Sequence, residues 1–188
     1  MSRGSLEWIF GYGSLLAAQA DDHPAPTPAV LRGHRRRWDV AMDNEQTIPG
    51  YKVFVDPDSR EQPPVFVTFL NIQPDPEAWV NGVLMPVRAF EVASLDARER
   101  NYERHEVTQL VDVDVGGRVW AYVGSGGGRR RYRTGRARGT AVVSSEYLAH
   151  VEAGFASFGT RMLDHFRLTT DLPEVPLVPL LRVDVAPA

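Results

Sequence analysis

The chain has no cysteine among its 188 residues. That excludes disulfides, a thiol nucleophile and any thiolate-ligated metal. It also lacks any apolar run of the roughly 18 residues needed to span a bilayer. Its first residues, MSRGSLEWIF, hold no long apolar stretch followed by a small-residue cleavage site, so no signal peptide is expected. Strong charge of one sign is missing too. The formal net charge is −3, which argues against a surface that binds nucleic acid all over. The five histidines, at 23, 34, 105, 150 and 165, show no metal-ligand spacing, so no metal is expected.

What is present is ordinary for a globular protein: 43% hydrophobic and 24% charged residues. These features predict one cytoplasmic domain over 1–188, with a core at about 6–168 and an extended, proline-rich tail. Short apolar or alternating runs predict strands at 6–10, 30–42, 51–55, 65–72 and 79–87. The basic run HRRRW at 34–38 is expected to point into water. A hairpin is predicted with arms at 107–115 and 118–123, turning at Gly116-Gly117. Helices are predicted at 88–102, 143–158 and 160–166, with Ser144 as the N-cap of the second. Strands and helices do not alternate regularly, so the expected class is α+β, built on a mixed or antiparallel curled sheet.

Two local features carry candidate chemistry. The first is FGYGSLL at 10–16. It is not a dinucleotide fingerprint, because Leu16 stands where a third glycine belongs. It lacks the Gly-Lys-Ser/Thr ending of a phosphate loop and the G-x-S-x-G of a nucleophile elbow. Two readings stay open: a turn that needs glycine, or a loop whose backbone N–H groups face an anion. The second is Glu99. On an 88–102 helix it shares a sector with Val92, Leu95 and Tyr102, where an apolar setting would raise its pKa. The competing sector of Phe90, Ala93 and Ala97 would leave Glu99 in water.

The pair, Tyr12-Gly13-Ser14-Leu15 followed some eighty residues later by Leu95-Asp96-Ala97-Arg98-Glu99, resembles the γ-glutamylcyclotransferase superfamily, with its ChaC-type and γ-glutamylamine branches. VNGVLMPV at 80–87, RVWAYVGS at 118–125, and Tyr132 followed by SSEYLAHV agree in order. The resemblance implies a small β-barrel-like sheet with flanking helices. It implies a cofactor-independent reaction in which the substrate's α-amine attacks its own γ-carbonyl, releasing 5-oxoproline and an amine or peptide. Glu99 would be the general acid/base. Gly11, Tyr12, Gly13, Ser14, Leu15 and Tyr132 would bind the γ-glutamyl substrate. The rival readings are a non-catalytic relative, or a nucleic-acid module using the basic segment 124–139, GSGGGRRRYRTGRARG, read as a flexible loop. A homodimer is left open.

Overall fold

The computed structural model describes residues 6–17 and 25–188. Its elements run β1 Leu6–Gly11, β2 Thr27–Asp43, β3 Lys52–Val55, β4 Phe66–Arg88, α1 Val92–Arg98, β5 Tyr102–Glu106, β6 Val119–Gly124, α2 Gly126–Arg138, β7 Ala141–Ser144, α3 Ser145–Ala156, α4 Thr160–Leu168, β8 Leu177–Val178 and β9 Leu181–Asp184. This is an α+β architecture on a curled mixed sheet. The main sheet has the order β5-β6-β1-β4-β7-β8, with β2 also paired to β4. A second sheet joins β3 to β9.

The two predicted strands at 65–72 and 79–87 are one. β4 is 23 residues long. Gln73, Pro74 and Trp79 keep pairing with the 17-residue β2, which carries bulges at Arg32/His34 and Trp38/Val40. Gly33, at φ 69°, supplies the left-handed step of the first bulge. The bulges bend this long ribbon so that β4 meets β1 with its C-terminal end and β7 with its start. A close backbone crossing fixes Gly82: a Cβ there would lie 2.3 Å from the Gly11 carbonyl oxygen.

Four expectations need correction. The 88–102 helix shrinks to Val92–Arg98, because Arg88 still pairs with Leu6 and Tyr102 already pairs with Gly124. The hairpin's first arm is Tyr102–Glu106 rather than 107–115. Pairing stops where the Val107 N–H donates to the Val119 carbonyl. The chain then leaves for β2: Val111 bridges Leu31, and Asp112 Oδ1 accepts from the Val30 N–H at 2.7 Å. The basic run does not all face water. Arg36 is fully buried, its guanidinium 5.1 and 4.9 Å from the Phe155 and Phe166 ring centres and donating to Thr170 Oγ1 at 2.9 Å. Burial lowers its pKa to about 9.

The fourth correction is the basic glycine-rich segment, which is a helix. The Ser125 hydroxyl caps α2 by accepting from the Gly128 N–H at 3.0 Å, and Gly139 closes it in the left-handed region at φ 68°. Its glycines are packing devices. A Cβ at Gly128 would meet the Asn101 carbonyl at 2.8 Å, and one at Gly135 the Phe66 ring at 2.8 Å. Arg131 turns inward, donating to the Ala41 carbonyl at 2.8 Å and to Asn101 Oδ1 at 2.6 Å.

The tail pairs in register: β9 with β3, and β8 with β7. One buried side chain ties it to α3. The Ser144 hydroxyl donates to the Leu180 carbonyl at 2.7 Å and accepts from the Tyr147 N–H at 3.1 Å.

Candidate active site

Where β1 ends, Gly11 and Tyr12 are buried and Ser14–Ala17 close into a short 3₁₀ turn. Its Leu16 N–H donates to the Gly13 carbonyl at 3.2 Å. Neither Gly11 nor Gly13 takes a positive φ. A Cβ at Gly13 would lie 3.6 Å from the Tyr147 hydroxyl and 3.7 Å from Leu70, an ordinary contact distance. Gly13 is therefore not required by a tight turn. It leaves open room beside the Tyr147 hydroxyl.

Next to that room lies a cavity of about 360 Å³, walled by Ser14, Leu15, Tyr51, Lys52, Glu99 and Tyr147 among others. A small adjoining recess of about 30 Å³ is lined by Tyr12, Gly13, Ser14, Leu15, Glu99, Tyr102 and Tyr122 among others. Glu99 and the loop 12–15 thus line one recess. Gly11, buried at the end of β1 against Met85 and Leu16, lines neither space.

Glu99 reaches the cavity by ending a helix rather than by riding on one. It is the C-cap of α1, at φ −87° and ψ 47°, and its N–H still donates to the Leu95 carbonyl at 2.9 Å. The competing sector faces solvent, with Phe90 72% exposed and Ala93 and Ala97 exposed as well. Asp96, the other acid of the Leu95–Glu99 stretch, is an anchor. It accepts from the Tyr122 hydroxyl at 2.9 Å and from Arg104 Nε at 2.9 Å, tying the last turn of α1 to β6 and β5. Burial lifts the Glu99 carboxyl above the ordinary glutamate value, and the Lys52, Arg98 and Arg182 charges offset part of that lift.

The walls are rich in tyrosine. Five of the six tyrosines, all but Tyr132, line this space. The Tyr12 hydroxyl donates to the Tyr122 carbonyl, and Tyr102 donates to the Leu70 carbonyl at 2.6 Å. Asn101 donates to the Tyr51 hydroxyl at 3.0 Å while receiving Arg131 from α2. Burial, with help from the Glu99 charge, pushes Tyr51 up to about 12. The Tyr147 ring stands edge-on to Phe69 and Trp38, with centres 5.0 and 6.1 Å away. Its phenol is pushed up by burial, against hydrogen bonds with the Ser14 hydroxyl and with the backbone of Ser14 and Leu70.

Lys52 is the cation facing Glu99. Its Nζ sits 4.6 Å from the Phe69 ring centre and 5.3 Å from that of Tyr51. Burial lowers its pKa to about 8, even though the Glu99 charge works to raise it.

Tyr132 is a correction. It lies inside the core on α2, packed behind the sheet, and lines none of the cavities described. The SSEYLAHV stretch that follows it places Tyr147 and His150 in the wall instead. Residue-level reading missed Lys52, Tyr51 and Arg182, which come from β3 and the tail. The one signal for Tyr147 and His150 was their three-residue spacing, which puts them on one face of α3. Among the described residues no group of three or more His, Cys, Asp or Glu could hold a metal. No helix there is long and apolar enough to cross a membrane.

Residues 9–147 match the family described as γ-glutamyl cyclotransferase, AIG2-like. No curated protein sequence matches the chain. Solved structures share the fold. An uncharacterized human protein superposes with a TM-score of 0.55 at 15% identity, covering 88% of each chain. A yeast γ-glutamyl cyclotransferase specific to glutathione gives 0.56 at 18% identity, over 88% of this chain and 97% of that one. Another γ-glutamyl cyclotransferase gives 0.54 at 16% identity, over 90% and 89%.

Proposed function

The chain belongs to the γ-glutamyl cyclotransferase, AIG2-like family, and we propose that it converts a γ-glutamyl compound into 5-oxoproline and a free amine or peptide. The observation that carries this reading is a half-buried carboxylate, Glu99, walling the same cavity as the Tyr12–Leu15 loop.

The reaction needs little from the protein beyond geometry and one proton carrier. The substrate's α-amine nitrogen forms a bond to its own γ-carbonyl carbon. The carbonyl becomes a tetrahedral oxyanion, and the bond to the leaving nitrogen then breaks. The amine must lose a proton and the leaving nitrogen must gain one. A single carboxylate can take the first and return it to the second. Glu99 is assigned that role. Its raised pKa suits it, since a carboxylate whose conjugate acid is too strong would be too weak a base to take the amine's proton. Ring closure is intramolecular, so holding the γ-glutamyl arm folded supplies much of the rate.

The loop supplies the complementary pole. Ser14 and Leu15 are assigned to the α-carboxylate or the oxyanion through backbone N–H groups and the Ser14 hydroxyl. Gly13 leaves the space they need. Tyr12 acts as a wall whose hydroxyl is already spent on Tyr122. Gly11 acts as support behind the loop. Tyr147, which now meets Ser14, would yield or share those hydrogen bonds when an anion enters. In this reading residues 1–188 act as one domain and need no cofactor.

Incubating the purified protein with a panel of γ-glutamyl amino acids, peptides and amines, and measuring 5-oxoproline, tests the reaction. Release from at least one compound is expected. Glu99→Gln keeps the shape and removes the proton carrier, so kcat should fall by about 10²–10⁴-fold with the melting temperature preserved. Wild-type rates in that variant would remove Glu99 from the mechanism. A folded protein inert toward the whole panel would favour a binding protein on an enzyme's scaffold.

A further inference from the structure

Beside the Glu99 cavity lies a second lobe of about 420 Å³, walled by Ser14, Lys52, Arg60, Tyr147, His150 and Arg182 among others. It shares Ser14, Lys52, Tyr147, His150 and Arg182 with the first, so the two adjoin along that wall. Its charge is one-sided. Lys52, Arg60 and Arg182 face a single carboxylate, Glu146, within the lobe. Arg182 already holds Asp184 at 2.6 Å. Among the described residues Arg60 has no hydrogen-bond or ion-pair partner for its guanidinium.

Arg60 also stands out in its backbone. It is the one non-glycine residue with positive φ among those described, at 62°. Glycine or asparagine is the usual occupant of such a position. The loop leaves the chain no choice there. Asp56 Oδ1 accepts from the N–H groups of Asp58 and Ser59 at 3.0 and 2.9 Å. The Arg60 N–H donates to the Asp56 carbonyl at 3.0 Å, and the Asp56 N–H donates to the Glu61 carbonyl at 2.8 Å. A pinned turn therefore presents an arginine in an unfavourable conformation, at the mouth of a cationic cavity, with nothing to pair with. Strained backbone of this kind gathers at functional positions.

We propose that this lobe is the leaving-group subsite and that Arg60, with Lys52, reads a carboxylate there. The chemical class of substrate is then a γ-glutamyl amino acid or peptide ending in a free carboxylate, not a γ-glutamyl amine whose released half carries a positive charge. This rests on the cyclotransferase reading: with the γ-glutamyl arm against Glu99 and the loop, the amide's other half must leave past Ser14 and Tyr147. A guanidinium fork is matched to a carboxylate by geometry as well as by charge.

The probes are γ-glutamylglycine and its neutral counterpart γ-glutamylglycinamide, titrated by calorimetry against the Glu99→Gln protein, so that binding is read without turnover. Tighter binding of the acid by about tenfold or more is expected. Adding Arg60→Gly, which suits the left-handed turn and keeps the fold, should reduce that preference by about tenfold. Arg60→Lys should restore part of it. Equal affinity for the two probes, or a preference untouched by Arg60→Gly, overturns the subsite. The 5-oxoproline assay on the wild-type protein is separate. A preference for the acid in binding with no 5-oxoproline from any substrate would uphold the anion subsite while ending the cyclotransferase reading.

Discussion

Two stretches of this protein are rich in glycine and look alike on the page: FGYGSLL at 10–16 and GSGGGRRRYRTGRARG at 124–139. They fold to opposite ends. In the first, Gly13 leaves space. A methyl group at Gly13 would meet only ordinary contacts, on the edge of a cavity. In the second, glycine removes space. Gly124, Gly128 and Gly135 let β6 and α2 press onto Val40, Asn101 and Phe66 with no room for a side chain. Glycine content therefore says that a backbone must come close to something. It does not say whether that partner is the protein or a ligand.

Substitutions can sharpen or break this contrast. The largest effect is expected at the cavity itself, where Glu99→Gln should cut turnover by about 10²–10⁴-fold at unchanged stability. Next comes the packed stretch. Gly135→Ala should destabilise by about 1–3 kcal/mol through overpacking against Phe66, read as a lower denaturant midpoint, while leaving the affinity of the folded protein for a γ-glutamyl compound unaltered. Gly13→Ala should do the reverse, with stability within about 0.5 kcal/mol of wild type and weakened binding. If Gly13→Ala unfolds the protein and Gly135→Ala does not, the contrast is reversed.

Lys52 gives a smaller effect with a defined pH signature. Its native pKa of about 8 lies below the ordinary 10.5. The unfolded chain thus binds more protons between those values, and stability rises with pH across that window. Below about 8 the buried charge carries its full penalty. Lys52→Met should therefore gain about 1–2 kcal/mol near pH 7, discounted for partial exposure, and the gain should fade toward pH 10.5 in pH-dependent melts. Because the Lys52 charge holds the Glu99 carboxyl down, the acid limb of kcat/KM should also move to higher pH in that variant. The smallest effect is expected at Arg130 and Arg133, both exposed on α2: alanine at either should change stability by less than about 0.5 kcal/mol.

Much of the fold was legible because it follows from local pattern. The Ser144 cap and the two C-terminal helices rest on contacts between near neighbours. The errors came where distant segments compete. Val107–Val115 alternates well as a strand, yet Val107 closes the ladder and Val111 and Asp112 are claimed by β2. The arginines at 34–38 read as a solvated face, yet Arg36 is drawn in beside the stacked rings of Phe155 and Phe166. At the site, Glu99 was found through an assumed helix that ends one residue before it. Its sector was right because the C-cap still points along the face of Val92. Lys52, Arg60 and Arg182 carried no local signal, since a lone cation in a strand or turn looks the same whether it faces water or a cavity.

Sequence alone determined the α+β class, the family, and the two short stretches, Tyr12–Leu15 and Leu95–Glu99, that meet in the cavity. Those are properties of propensity, capping and motif order, which a chain carries along its length. Tertiary structure decided the rest: that Tyr132 belongs to the core, that Tyr147 stands against the loop, and that β3 and the tail bring their cations to the mouth. The reason is physical. Burial and charge proximity depend on which surfaces the long β2–β4 ribbon brings together, and no local stretch of residues encodes that separation in space.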